Sequence, residues 1–192
     1  MEKTKEKKIE EPIALERRRI KSFAVDSEQT EFKLLEKEDI DDVVSVLRRT
    51  AFEIGEKEIK ELEEIIRYKT SYGAYVDRLL VGLSLSWPLC FNELTKSLYS
   101  CNEANTLYLQ DIAILIAFEG HGIREKLIEL TEQRAKEKKL NYVVCVCGEN
   151  PKEDELNYVI EKRGTKLERA LYNANYKFFK GHYGLTAYKR LV

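Results

Sequence analysis

The chain reads as an α/β domain built on a mixed sheet with helices on both faces. Three observations predict this. Apolar residues between 32 and 190 switch repeatedly from strand-length runs to the three-to-four-residue spacing of amphipathic helices. "NYVVCVC" (141–147) lacks polar alternation, as a central strand covered on both sides would. It follows "TLYLQDIAIL" (106–115) and a helical segment, and strand, helix and strand in that order form a right-handed crossover between parallel strands.

The elements follow in order. "FKLLEKEDIDDVVSVLRRTAF", from Phe32, gives a short strand, a helix start at Glu38-Asp39, and one buried stripe through Val43, Val44, Val46 and Leu47. A second helix covers Glu56 to Tyr68, with Ile59, Leu62, Ile65 and Ile66 inward. "YGAYV" and "LLVGLSLSW", separated by Asp77-Arg78, form a hairpin whose second strand Pro88 stops. Residues 91 to 105 read as a polar loop. After the strand at 106–115, a helix over Ile123 to Lys139 turns Ile123, Leu127, Leu130 and Ala135 to the core. Residues 152 to 174 read as helical with a break at Gly164, and "YKFFKG" and "YGLTAYKRL" close the chain as antiparallel strands.

At 192 residues the chain makes one domain with a sizeable core. Its net charge of −1 gives no general reason to expect a nucleic acid or an anionic membrane as partner. No window approaches the roughly 18 apolar residues of a membrane span, and the start lacks a signal-peptide core, so a cytoplasmic protein is expected. Abundant Lys and Glu with no internal Met is a pattern of heat-adapted proteins. Met1 to Ser22 holds eight basic and five acidic residues and reads as a solvated tail, with "LERRRIK" as its one candidate contact for acidic partners. The domain boundary falls near Glu31, giving a 1–31 tail and a 32–192 domain. Cys145 and Cys147 alternate on one strand without a histidine spaced to join them, so no metal site is expected. Cys90 and Cys101 flank a loop and could pair, yet in a cytosolic protein free buried thiols are the favoured reading.

The candidate site lies where the strand at 106–115 meets the next helix. Gly120 and Gly122 let the backbone turn tightly, so that several N–H groups and a positive helix end face one spot suited to a pyrophosphate. Two glycines alone are weak evidence. Their surroundings resemble the GCN5-related N-acetyltransferase (GNAT) superfamily, whose loop runs Arg/Gln-x-x-Gly-x-Gly/Ala into a helix. Asp111-Ile112-Ala113-Ile114 matches the family's strand, Phe118 its aromatic, and Gly120-His121-Gly122-Ile123 its turn. "FKLLEKEDIDDVVSVL", "AYVDRLLVGLSLS" and "ALYNANYKFF" are similar to the opening, the second and third strands, and the closing segment, so residues 32 to 192 are covered in order.

The resemblance implies a mostly antiparallel sheet with a central splayed parallel pair that holds acetyl-CoA. Pantetheine would pair with Ile112, Ala113 and Ile114, and pyrophosphate would rest on the N–H groups of Gly120, His121, Gly122, Ile123 and Arg124. Asn150 matches an asparagine that bonds the cofactor. Glu119 departs from the Arg/Gln of the pattern and places negative charge near phosphates. Arg124 departs from its last small residue, either obstructing the phosphates or pairing with one of them.

For catalysis, Tyr172 in "ALY" matches the tyrosine that protonates the departing thiolate. Asn175-Tyr176 stand for the usual Gly-Phe, with Asn tolerating the left-handed cap. Tyr108 falls where some members place a catalytic Glu and one peptide N-terminal branch a Tyr. By strict alternation it shares a face with Gln110, Ile112 and Ile114, while Asp111 points away and caps. His121 and His182 have no visible partner. The 151–168 segment is an insertion open to three roles: a cover over the acceptor site, a homodimer contact, or a solvated helix. The implied activity is direct acetyl transfer from acetyl-CoA to an amine, with a peptide favoured over a small molecule. The acceptor would be met by 38–66, 91–105 and the end of the chain. The alternative is a non-catalytic module that binds acyl-CoA or a protein partner.

Overall fold

The computed structural model describes residues 30–50 and 53–191. The expectation for the basic tail, including "LERRRIK", falls outside these residues. Among these residues eight strands and five α-helices follow one another, in the predicted order apart from the unpredicted β4: β1 (Glu31–Leu34), α1 (Ile40–Arg49), α2 (Glu56–Arg67), β2 (Tyr72–Val76), β3 (Leu79–Asn92), β4 (Ser97–Tyr99), β5 (Thr106–Ile114), α3 (Ile123–Glu137), β6 (Tyr142–Gly148), α4 (Leu156–Arg163), α5 (Lys166–Asn173), β7 (Lys177–Gly181) and β8 (Gly184–Arg190). The sheet order is β1-β2-β3-β5-β6-β8-β7, with β4 paired to the end of β3. Every pairing is antiparallel except β5 with β6.

The sheet has an apolar layer on each side. Leu107, Leu109, Ile112 and Ile114 of β5 pack with Ile123, Leu127 and Ile128 of α3 and Leu171 of α5. Ile128, not the half-buried Leu130, completes the stripe of α3. On the other side Leu83, Leu85 and Ala113 pack with Val43 and Leu47 of α1 and Leu62 and Ile66 of α2. A smaller aromatic cluster on that side joins Phe91, Val144 and Tyr188. Truncating a fully buried leucine such as Leu127 would remove about 2–5 kcal/mol.

Two expectations about β3 are corrected. Pro88 does not end the strand, which runs on to Asn92. Ser86 N–H bonds to Ser71 Oγ on the β2 side, whereas Leu89 O and Phe91 N–H bond to Asn105 on the β5 side. This alternation turns the Pro88 nitrogen outward, past the last β2 pair at Ser84, where no ladder bond is lost. The polar stretch 91–105 is not simply a loop. It forms the β3–β4 hairpin, and Cys90 bonds to Cys101 with their Cα atoms 5.9 Å apart. The expected free thiols are therefore only Cys145 and Cys147. Among the described residues no helix is long and apolar enough to cross a membrane.

The parallel pair matters most for function. β5 and β6 are in register only from Thr106/Tyr142 to Leu109/Cys145. Beyond that point each strand carries one extra residue against its outer neighbour. On β5 it is Gln110, between Leu109, which faces Ser86, and Asp111, which faces Leu85. On β6 it is Cys147, between the partners of Thr186 and Leu185. Such bulges bend a strand and raise its twist, so the two strands part.

Candidate functional site

The bulge at Gln110 overturns the expected faces of β5. Side chains of paired residues share a face, and Trp87↔Tyr108, Leu85↔Asp111 and Leu83↔Ala113 are all pairs. Tyr108, Asp111 and Ala113 thus lie on the α1–α2 side, while Ile112 and Ile114 join Leu107 and Leu109 beneath α3. Asp111 therefore does not point away from Tyr108. Its capping role does appear, since Asp111 Oδ1 accepts from Ile112 N–H at 2.7 Å.

Both side chains are perturbed by burial. The Tyr108 hydroxyl is pushed up to about 12, chiefly by burial, with the neighbouring Cys145, Cys147 and Asp111 adding to it. Its ring stands edge-on to Trp87, with centroids 4.8 Å apart. At neutral pH it is an uncharged hydroxyl that donates and accepts. The Asp111 carboxyl is also raised by burial, partly countered by the Ile112 N–H and the nearby Arg124 charge.

The glycine turn opens a cleft of about 660 Å³ lined by Ile114, Glu119, Gly120, Gly122, Arg124, Lys166 and Arg169. Gly120 and Gly122 have φ of +83° and +74°, a backbone region that strains any residue with a side chain. No side chain caps the start of α3, so its first N–H groups remain for whatever enters the cleft. Ile123 is buried beneath them. His121 is half-buried and makes no hydrogen bond among the described residues.

Glu119 and Arg124 are partners. Arg124 Nη2 donates to Glu119 Oε1 at 2.7 Å, and these side chains are only 11% and 19% exposed, respectively. Arg124 Nη1 donates to the Ile112 carbonyl at 3.1 Å. Lys166 adds a longer contact to Glu119, 3.6 Å. The two departures from the loop pattern thus cancel each other's charge at this position.

Lys166 and Arg169 were not singled out by the sequence. Their signal is "TKLE": Thr165 accepts from Glu168 N–H at 3.2 Å and Glu168 accepts from Thr165 N–H at 2.8 Å, a reciprocal cap that starts α5. With that start fixed, residues three apart fall on one face, here the cleft.

Two expected members lie elsewhere. Tyr172, half-buried on α5, lines a neighbouring groove of about 550 Å³ with Asn157, Asn175 and Lys177, one residue from the cleft-lining Asn173. Asn150 donates to Gly181 O at 2.8 Å and ties the end of β6 to the β7–β8 hairpin. Asn175 has the expected left-handed φ, +64°. On Tyr108's side of the sheet, a groove of about 280 Å³ is lined by Phe91, Lys96, Leu98, Phe179, Tyr183 and Thr186. Residues from 91–105 and from the closing strands meet there. No cluster of metal-binding side chains occurs among the described residues.

No family model and no curated protein matches the chain. Solved structures do. A GNAT-like decarboxylase, GphF, in complex with isobutyryl-CoA is 13% identical, with a TM-score of 0.64 over 84% of this chain and 100% of that one. The Drosophila melanogaster polyamine N-acetyltransferase is 10% identical, with a TM-score of 0.61 over 84% and 100%. The PaiA N-acetyltransferase of Thermoplasma acidophilum, in complex with coenzyme A, is 15% identical, with a TM-score of 0.54 over 84% and 98%.

Proposed function

We propose that this chain, which has the GNAT fold, is an N-acetyltransferase that moves an acetyl group from acetyl-CoA to an amine by direct attack. The observation that carries the reading is the parting of β5 and β6 directly beside the Gly120–Gly122 turn. An open strand edge offers N–H and C=O groups to the amides of an extended ligand. The uncapped start of α3, with Lys166 and Arg169, offers positive charge to phosphates. These residues fit acetyl-CoA, which when bound supplies an activated thioester.

The chain's own groups then do little beyond positioning, from which most of the acceleration comes. Tyr108, uncharged at neutral pH, orders the incoming amine or the water that takes its proton. Tyr172 donates a proton to the departing sulfur. The acceptor enters from Tyr108's side, and is a protein N-terminus, a lysine or a small amine. The correspondence at Tyr108 favours a peptide.

The test is thermal. Acetyl-CoA at a hundred times its dissociation constant should stabilise the fold by about 2.7 kcal/mol and raise the melting temperature. No shift at millimolar acetyl-CoA would sink the reading. Given a shift, Tyr172→Phe should keep it while lowering turnover by about 10²-fold or more. An unchanged rate removes Tyr172 from the mechanism.

A second reading, a module that binds acyl-CoA without transferring it, is favoured by Tyr172 facing the neighbouring groove. A melting shift with no acetylation of any peptide, lysine or polyamine offered would select it.

A further inference from the structure

On the open edge of β5, one residue is already bonded at both its backbone groups. Leu115 N–H bonds to Val81 O on the β3 side, so Ile112 and Ile114 turn their backbone groups toward the gap with β6. Ile112 N–H is held by Asp111 Oδ1 and Ile112 C=O by Arg124 Nη1. The same guanidinium is anchored to Glu119. A ligand that pairs its amides with Ile112 on this edge must therefore displace Arg124.

Displacement breaks a charged hydrogen bond and a largely buried ion pair. Neutral amides offer a guanidinium nothing comparable in return. A diphosphate does, because its oxygens match the planar fork in pairs, and Arg124 lines the cleft where such a group would lie. We propose that Arg124 selects the acyl donor: it covers the Ile112 edge until a diphosphate-bearing donor draws it off, so the site takes coenzyme A thioesters and refuses those of bare pantetheine. This rests on the acyl-CoA reading above and adds the residue that enforces the choice of donor.

Calorimetric titration of the full chain with coenzyme A and, separately, with pantetheine tests the idea. Wild type should bind coenzyme A and discriminate strongly against pantetheine. Arg124→Leu should bind pantetheine about tenfold more tightly than wild type and coenzyme A about tenfold more weakly, so that the preference collapses. Arg124→Lys is the milder variant. It keeps a charge for the phosphates but cannot hold Ile112 and Glu119 together, so pantetheine should gain while coenzyme A stays within a few-fold.

Both ligands weakened by one factor, or an unchanged preference, would make Arg124 a structural brace and overturn the inference. Coenzyme A binding to Arg124→Leu but not to wild type would make Arg124 a plain block, which also overturns selection yet leaves the acyl-CoA reading intact. No binding by any of the three proteins removes that reading, and this inference with it.

Discussion

Asp111 is the residue whose surroundings most change its chemistry. Burial raises its carboxyl above the ordinary value of 3.8. The sign follows from proton counting. Between 3.8 and the raised value, the folded state binds more protons than the unfolded state, so stability falls as pH rises through that window. Asp111→Asn keeps an oxygen for Ile112 N–H and has no charge to bury. Relative to wild type, the variant should gain stability as pH climbs from 3.8 through the window, and then hold a constant difference. Melting curves at a series of pH values check this, and parallel profiles would contradict it. Little of this was legible beforehand. Asp111's capping role was visible, but its face was not, because nothing in "LQDIAI" marks a bulge: no glycine, no proline, only the exposed Gln110. The Glu119–Arg124 pair was hidden for a similar reason. Its five-residue spacing spans a turn and a helix start, whereas sequence reading recognises pairs within one regular element.

At the scale of elements, the β3–β4 hairpin depends on more than its three ladder pairs. The Cys90–Cys101 bond, 11 residues apart in sequence, closes the loop behind it. The chain-entropy model assigns such a loop about 3 kcal/mol. Cys90→Ser with Cys101→Ser should lower unfolding stability by about 2–3 kcal/mol in a denaturant titration. Thiol titration of the unfolded, unreduced protein should count Cys145 and Cys147 alone. Four titrating thiols would refute the pairing. Elements were mostly legible because period and punctuation agreed: the stripes of α1 and α2, the Asp77-Arg78 turn, the break at Gly164, and the left-handed Asn175. The hairpin was missed because the mostly polar stretch 92–97 masks a strand of only three residues. Whether two cysteines meet is set by how β3 and the returning chain are juxtaposed, which local sequence does not encode.

Taken whole, the molecule is two apolar layers with a sheet between them, and in the proposed acyl-CoA reading a ligand would reach across at the split between β5 and β6. The layers constrain how that split can change. Gln110 is an added residue, so deleting it leaves Leu107, Leu109, Ile112 and Ile114 beneath α3 and Tyr108, Asp111 and Ala113 on the opposite side. The deletion variant should therefore fold, with circular dichroism and cooperative melting like those of wild type. It should lose the melting shift with acetyl-CoA, because a straighter β5 stays closer to β6. A variant that folds and still binds would separate the bulge from the cleft.

That arrangement has a consequence for how such a chain acquires or discards its chemistry. One codon, that of Gln110, sets the bend of β5 at the mouth of the sheet, and the core need not be rewritten for its loss. A lineage could narrow or widen that mouth from the β5 side in a single in-frame event and keep a soundly folded protein either way.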